Sequence, residues 1–144
     1  MIDASWRSSI VELVVNHDAR GDLAVAEFPE SLPFVPKRCF FVTGVPVGEK
    51  RGIHAHHACH QFLVCLRGRV GVSLDEGSGR IAEVELATPE RGVWIPPYVW
   101  GGQTYLDPDA VLFVAASDPY DAADYIVDYD EFSLLVAQLP RESP

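Results

Sequence analysis

Turn-forming residues divide this chain into short apolar segments, and their spacing restricts the possible folds more than any other feature. Eleven glycines and eleven prolines are scattered along the sequence. The segments between them are rich in β-branched and aromatic residues, which favours strands. Strands are predicted at residues 11–15, 23–28, 37–45, 61–66, 70–74, 81–86, 93–95 and 110–116, and a helix at 130–139. This pattern predicts an all-β fold, an antiparallel sandwich or small barrel with a short C-terminal helix, rather than βαβ units.

Length and composition exclude several classes of protein. The 144 residues fit a single domain, residues 1–144, and 48% of them are apolar, which is enough for a core. No apolar run approaches the roughly 18 residues of a membrane span, and the first residues lack a signal-peptide layout. The net charge of −10 argues against partners such as nucleic acid or an anionic membrane surface. Three cysteines without paired spacing predict reduced thiols and a cytoplasmic location.

The basic residues are concentrated in one part of the chain. Seven of the eleven lie between Arg20 and Arg69. Converging cations can bind an anion even in an acidic protein. We therefore expect any anionic ligand to bind near this basic middle of the chain.

Four of the five histidines lie between His54 and His60. Side chains alternate between the faces of a strand, so His54 and His56 are predicted to share one face. Two neighbouring imidazoles can ligate a metal, with His60 as a possible third ligand, or divide acid–base work between them. No Gly-rich nucleotide loop is present, so no redox cofactor is expected.

The spacing of His54, His56 and Gln61 between Gly48 and Gly68 resembles the first motif of the cupins, which are jelly-roll barrels. Metal-binding cupins carry a carboxylate where Gln61 stands, and a further histidine of their second motif is absent here. The resemblance therefore favours a site without metal.

A longer ordered set of motifs resembles one cupin family, the WxcM-like dTDP-sugar 3,4-ketoisomerases. The set comprises Asp18-x-Arg20-Gly21, Arg51-Gly-x-His54-Ala-His56, Gln61-x-Leu-x-Cys65, Gly92-x-Trp94-Ile-Pro-Pro and Asp124-Tyr-Ile-x-Asp-Tyr-Asp-Glu-Phe132. The resemblance implies a metal-independent isomerase without a cofactor. It also implies a dTDP-4-keto-6-deoxy-D-glucose substrate and a homodimer with exchanged N-terminal strands.

The resemblance also assigns roles to particular residues. It makes His54 and His56 catalytic, and we expect His56 to act at carbon and His54 at oxygen. Arg20, Arg51 and Arg38 are the candidates for the diphosphate. Gln61 is a further candidate for substrate binding, and Trp100 and Tyr105 are candidates for stacking on thymine.

Several alternatives stay open at this point. They are a metal-dependent cupin enzyme using His54, His56 and His60, a dTDP-sugar epimerase, and a non-catalytic sugar-nucleotide sensor. The acidic segment 118–131 is interpreted as a structural clasp rather than a catalytic element. Phe40 and Phe41 stand where relatives often have tyrosine, which leaves the proton relay and the C4 configuration of the product open.

Overall fold

The computed structural model describes residues 2–77 and 79–140. In chain order its strands are β1 Ser9–Glu12, β2 Val14–Asp18, β3 Gly21–Val25, β4 Arg38–Val42, β5 Lys50–Arg51, β6 Ala55–His56, β7 Gln61–Arg67, β8 Val70–Asp75, β9 Ile81–Leu86, β10 Arg91–Ile95, β11 Trp100–Tyr105, β12 Val111–Ala116 and β13 Tyr125–Ile126. A 3-10 turn at Ala122–Asp124 precedes β13, and one α-helix, α1, spans Tyr129–Ala137. No helix in this part of the chain is both long and apolar enough to cross a membrane.

Two antiparallel sheets form the body of the molecule. One has the strand order β1-β10-β7-β12-β4 and the other β5-β11-β8-β9. The two sheets do not join edge to edge into a closed barrel, but their arrangement is that of a jelly roll. The prediction of an all-β antiparallel fold with a short C-terminal helix is confirmed.

The core lies between the sheets because the strands alternate apolar and polar side chains. In β9, Ala82 and Leu86 are buried while Glu83 and Glu85 are exposed, which is the period of two expected for a strand with one solvated face. The fully buried residues of this core include Leu63, Val72, Leu74, Val93, Leu112 and Val114. This rigid two-layer core supports the short strands that carry the candidate site.

Residues 11–15 were predicted as one strand, and this detail is wrong. The structure divides the segment at Leu13, which follows the last pair of β1 with β10 and whose backbone N–H donates to the carbonyl of Glu90. The chain then continues into β2, which within the described residues pairs with β3 alone. The segment is divided because β2 takes β3 as its partner and leaves β10.

The C-terminal helix begins where its capping residue lies. Asp128 has extended backbone, and its carboxylate accepts a hydrogen bond from the N–H of Glu131. Acidic residues in the first turn suit the positive end of the helix dipole. Phe132 is fully buried and fixes the helix beside β13.

Candidate active site

The two imidazoles predicted to share a face are in direct contact. The Nε2 atoms of His54 and His56 lie 3.2 Å apart, and the two rings meet nearly edge to face at 85°. Backbone hydrogen bonds hold this segment: Gly101 N–H donates to the carbonyl of His54, and Tyr98 N–H donates to that of His56. His56 is buried and His54 half-buried. The pair therefore stands in a fixed, largely desolvated position.

Asp124 orients the second of these histidines. Its Oδ2 lies 2.9 Å from His56 Nδ1, and its two oxygens also accept the backbone N–H groups of Ala58 and Cys59 at 2.7 and 3.2 Å. A carboxylate surrounded by N–H donors requires a proton on His56 Nδ1. The Nε2 atom of neutral His56 is then an acceptor, so the 3.2 Å contact takes its hydrogen from His54 Nε2.

The segment that carries Asp124 is part of the site and not only a clasp. Strand β13 pairs with β6, with Tyr125 opposite His56 and Ile126 opposite Ala55. The Tyr125 ring lies 4.9 Å from the His54 ring and 4.5 Å from the His56 ring, centroid to centroid. The interpretation of residues 118–131 as purely structural is therefore corrected, because the 3-10 turn supplies the carboxylate of Asp124 and β13 supplies the aromatic ring of Tyr125.

Burial controls the charge of both imidazoles. Desolvation, followed by the neighbouring His56, lowers the pKa of His54 from 6.5 to about 4. Desolvation also lowers the pKa of His56, while the hydrogen bond to Asp124 opposes the change. Both rings are therefore neutral near neutral pH, and His56 is the one whose protonated form a carboxylate stabilises. Such a pair can remove a proton from one atom and return it to another.

A small cavity lies between the sheets beside the histidines. It is lined by Gly52, His54, His56, Gln61, Leu63, Val72, Ile95, Val99, Gly101, Gly102 and Gln103. Its polar side chains are the two imidazoles and two primary amides, and the rest of the wall is glycine or apolar. Gln61 is 8% exposed and faces the cavity from β7, as its predicted role in substrate binding requires.

The three candidate arginines occupy different places. Arg38 lies close enough to His56 to lower its pKa electrostatically, and its guanidinium stands over the rings of Phe40 and Tyr120 at 5.4 and 5.8 Å. Its Nε is buried without a hydrogen-bond partner in the described part of the chain. Arg51 is exposed on β5, directly opposite Gln103 of β11.

The third arginine is remote from the histidine pair. Arg20 stands at the tip of the β2–β3 hairpin, is 90% exposed, and forms an ion pair with Asp18 at 2.6 Å. The structure thus brings Arg38 near His56, places Arg51 one strand away from the cavity-lining Gln103, and leaves Arg20 outside the site.

Neither aromatic candidate for stacking is open to a planar ligand inside the cavity. Tyr105 is fully buried in the core. Trp100 is half-buried on the other face of β11, where its ring packs against Tyr129 and Phe132 near helix α1.

His60 is not a member of the histidine pair. Its ring stacks on Trp94 at 5.8 Å and 5°, and its Nδ1 accepts the indole N–H of that residue at 3.1 Å. Within residues 2–77 and 79–140, the groups of ligand atoms that lie close enough for a metal do not combine His60 with His54 and His56. The geometry does not support a three-histidine centre.

One buried group of potential metal ligands does include a member of the pair. It comprises His56, Cys59 and Asp124. The hydrogen bonds to Asp124 account for this cluster, since His56 Nδ1 and the Cys59 N–H both donate to that carboxylate. Ligation would require His56 Nδ1 to give up its proton.

Sequence reasoning missed Asp124, Tyr125 and Gln103 as site residues. The available signal for the first two was a carboxylate and aromatic rings interleaved in the segment 118–131, which is unusual for a purely solvated surface. Gln103 had no comparable signal. Its inward direction depends on the register of β11 against β8.

Comparisons with known proteins agree with this geometry. Residues 7–137 match the family model described as FdtA: WxcM-like, C-terminal. A curated relative from Aneurinibacillus thermoaerophilus, TDP-4-oxo-6-deoxy-alpha-D-glucose-3,4-oxoisomerase, is 39% identical over 125 residues, which are 87% of this chain and 89% of the relative.

Two solved structures are similar over nearly their whole length. One is a mutant of the 3,4-ketoisomerase QdtA from Thermoanaerobacterium thermosaccharolyticum in complex with TDP-4-keto-6-deoxyglucose. It is 31% identical with a TM-score of 0.88, covering 92% of this chain and 96% of that one. The other is the WlaRB TDP-quinovose 3,4-ketoisomerase from Campylobacter jejuni, 33% identical with a TM-score of 0.84, covering 89% and 98%.

Proposed function

The chain belongs to the family FdtA: WxcM-like, C-terminal, and on this basis we propose that it is a TDP-sugar 3,4-ketoisomerase acting on TDP-4-keto-6-deoxyglucose. The observation that carries the proposal is the contact between His54 and His56, with Asp124 bound to the outer nitrogen of His56. The reaction moves a carbonyl between adjacent carbons, and such a step needs proton transfer and no net oxidation.

The chemistry follows from the two neutral imidazoles. The C4 ketone acidifies the C3 hydrogen, and a base removes that proton while the electron pair of the C–H bond forms a C3–C4 double bond. Negative charge appears on O4. A proton then moves from O3 to O4, and protonation of C4 leaves the carbonyl at C3. One proton leaves carbon and one returns, so atoms and electrons balance.

The hydrogen bonds favour one division of roles between the histidines. His56 has a protonated Nδ1 on Asp124 and a basic Nε2, which can take the C3 proton and return it at C4 once substrate displaces the His54 N–H from that lone pair. The Nε2 proton of His54, released from His56 in the same way, supports a role for His54 in moving protons between the two oxygens. This division agrees with the expectation from the sequence that His56 transfers the proton at carbon and His54 the proton at oxygen.

Substrate binding is proposed for Arg38, Arg51 and Gln61. The unpartnered Nε of Arg38 and its place near His56 suit an anionic oxygen, because a guanidinium forms strong charge-assisted hydrogen bonds. Arg51, opposite Gln103, suits the diphosphate beyond the sugar. The amide of Gln61, which lines the cavity, suits a sugar hydroxyl.

We also propose the homodimer with exchanged N-terminal strands. The β2–β3 hairpin pairs with no other strand in the described part of the chain, and it exposes Val14 and Leu23. The outer face of the five-stranded sheet exposes Phe41 at 63%, beside Phe113. Exposed apolar surface of this kind is typical of an interface between subunits.

Exchange of the hairpin would let Arg20 serve the site of the other subunit. Mixing Arg20→Ala and His56→Asn subunits after separate purification tests this, since only mixed dimers combine an intact arginine with an intact base. Recovery of activity supports the exchange, and two inactive variants that stay inactive after mixing contradict it. The cytoplasmic location stays a prediction that rests on the three free cysteines.

Incubation with TDP-4-keto-6-deoxyglucose in deuterium oxide tests the function. We expect NMR to show the carbonyl at C3 and deuterium at C4, and the coupling of neighbouring protons gives the C4 configuration. Deuterium at C3 or C5 with the carbonyl still at C4 would instead indicate an epimerase. Activity that disappears with a chelator and returns with a metal would favour a metal-dependent enzyme, and binding without turnover would indicate a sensor.

A further inference from the structure

Gln103 and Tyr105, two residues on the inner face of β11, are joined by a side-chain hydrogen bond. Tyr105 is 0% exposed, and its hydroxyl donates to Gln103 Oε1 at 3.0 Å. Burial raises the pKa of Tyr105 to about 12, so the phenol keeps its proton at physiological pH. Its single hydrogen therefore goes to the oxygen of the Gln103 amide.

This hydrogen bond fixes which way the amide points. With Oε1 held by Tyr105, the NH2 group of Gln103 lies on the opposite side, towards Gly52. A Cβ atom added to Gly52 would stand 2.5 Å from Gln103 Nε2, and Gly52 has a φ of +64° that favours glycine. The glycine thus leaves room for the amide nitrogen. Within residues 2–77 and 79–140, Gln103 Nε2 makes no hydrogen bond to any acceptor of the protein.

Gln103, whose Nε2 has no hydrogen-bond partner in the described part of the chain, lines the same cavity as His54 and His56. Gly101 and Gly102 of the same strand also line it. The reaction creates negative charge on a sugar oxygen while His56 accepts the carbon proton and His54 transfers a proton between the oxygens, so an additional N–H donor would stabilise that charge. A donor whose direction is already fixed stabilises such charge strongly, because it needs no reorganisation during the reaction.

We propose that Gln103 is a catalytic residue whose Nε2–H binds the sugar oxygen that becomes negatively charged, and that Tyr105 is the positioning residue that aims it. The proposal rests on the 3,4-ketoisomerase function and extends it. Gln61 lines the same cavity, but among the described residues no hydrogen bond to its side chain fixes its amide, so its direction is not set in advance.

Substitutions at the two positions test the proposal. Gln103→Leu removes the donor and is expected to lower kcat by about 100-fold, as loss of one such donor does in other enzymes, with a small change in KM. Gln103→Glu keeps the bond from Tyr105 but places a carboxylate against the developing charge, so it should be at least as damaging. Tyr105→Phe lets the amide rotate and should lower kcat less than Gln103→Leu.

Controls separate this effect from general damage to the fold. Tyr129→Phe removes a phenol that donates to Asp75 at 2.6 Å, away from the cavity, and should keep the wild-type rate. Affinity for TDP alone, measured by calorimetry, should be unchanged in the Gln103 variants and in Tyr105→Phe. This readout shows that the nucleotide site is intact.

Two results would overturn the roles of Gln103 and Tyr105, and a third would overturn the proposed function. A folded Gln103→Leu protein with unchanged TDP affinity and a kcat within threefold of wild type overturns the role of Gln103. A Tyr105→Phe protein with the full wild-type kcat overturns the positioning role of Tyr105. If wild-type protein leaves the keto sugar unchanged and exchanges no hydrogen, the proposed function fails first, and the role of Gln103 fails with it.

Discussion

Replacing Asp124 with asparagine is expected to disable the candidate site with little change in its shape. The carboxylate accepts three N–H donors: His56 Nδ1 at 2.9 Å, Ala58 N at 2.7 Å and Cys59 N at 3.2 Å. An asparagine keeps one oxygen and is expected to leave it on the shortest contact, Ala58. The amide nitrogen then faces His56 Nδ1, which must release its proton and become an acceptor.

The change of tautomer gives the size of the effect. His56 would carry its proton on Nε2, so the atom that takes the substrate proton would no longer be a base. Loss of the correct tautomer lowers turnover by roughly 10²–10⁴-fold in enzymes that depend on a carboxylate–histidine pair. The lost charge-assisted hydrogen bonds should also lower the free energy of unfolding by about 1–3 kcal/mol.

The pH dependence has a defined sign. Asp124 opposes the effect of burial and raises the pKa of His56, so its removal lowers that pKa further. The base is active when neutral, and therefore the acidic limb of kcat/KM should move to lower pH while the plateau falls.

The assay is conversion of TDP-4-keto-6-deoxyglucose followed by NMR across a range of pH, with thermal unfolding measured in parallel. Asp121→Asn is the matched control, because that carboxylate caps the neighbouring 3-10 turn by accepting from Ala123 N–H and does not contact a histidine. An Asp124→Asn protein with a kcat within threefold of wild type and an unshifted acidic limb would refute the tautomer argument.

Three further predictions concern the surroundings of the pair. Arg38→Met should raise KM for the sugar nucleotide at least about tenfold, measured by initial rates, because the buried Nε of this half-buried arginine has no hydrogen-bond partner within the described residues; an unchanged KM would count against anion binding there. His60→Gln should keep kcat within a few-fold, since this ring is occupied by Trp94, and a large loss would revive a role in the reaction. Urea midpoints should fall as pH drops from 6.5 towards 4, because the folded-state pKa of His54 is depressed to about 4 and the unfolded chain binds its proton first. His54→Gln should flatten that decline, and an identical pH profile would contradict the assigned burial effect.

The strands and the histidine pair could be predicted because both depend on local spacing. Alternation along extended backbone puts residues i and i+2 on one side, and this was sufficient to join His54 and His56, although only His56 lies in β6. The division at Leu13 could not be predicted, since it depends on the different partners of β1 and β2.

The residues that contact the histidine pair could not be predicted either, because they are distant from it in the sequence. Asp124 lies 68 positions beyond His56 and reaches it through the two-residue pairing of β13 with β6. Tyr105 was predicted as a candidate for stacking on thymine because it is a large aromatic residue. Only the register of β11 shows that its ring fills the core and that its hydroxyl serves Gln103.

Because β13 is the last strand in the chain, the parts of the candidate site are synthesised in a fixed order. The ribosome synthesises His54 and His56 well before Asp124, whose carboxylate gives His56 its working tautomer. A nascent or truncated chain that ends before Asp124 contains every strand of the two main sheets, but it lacks the carboxylate that orients His56. Full turnover is therefore expected only after Asp124 has been synthesised and β13 has paired with β6.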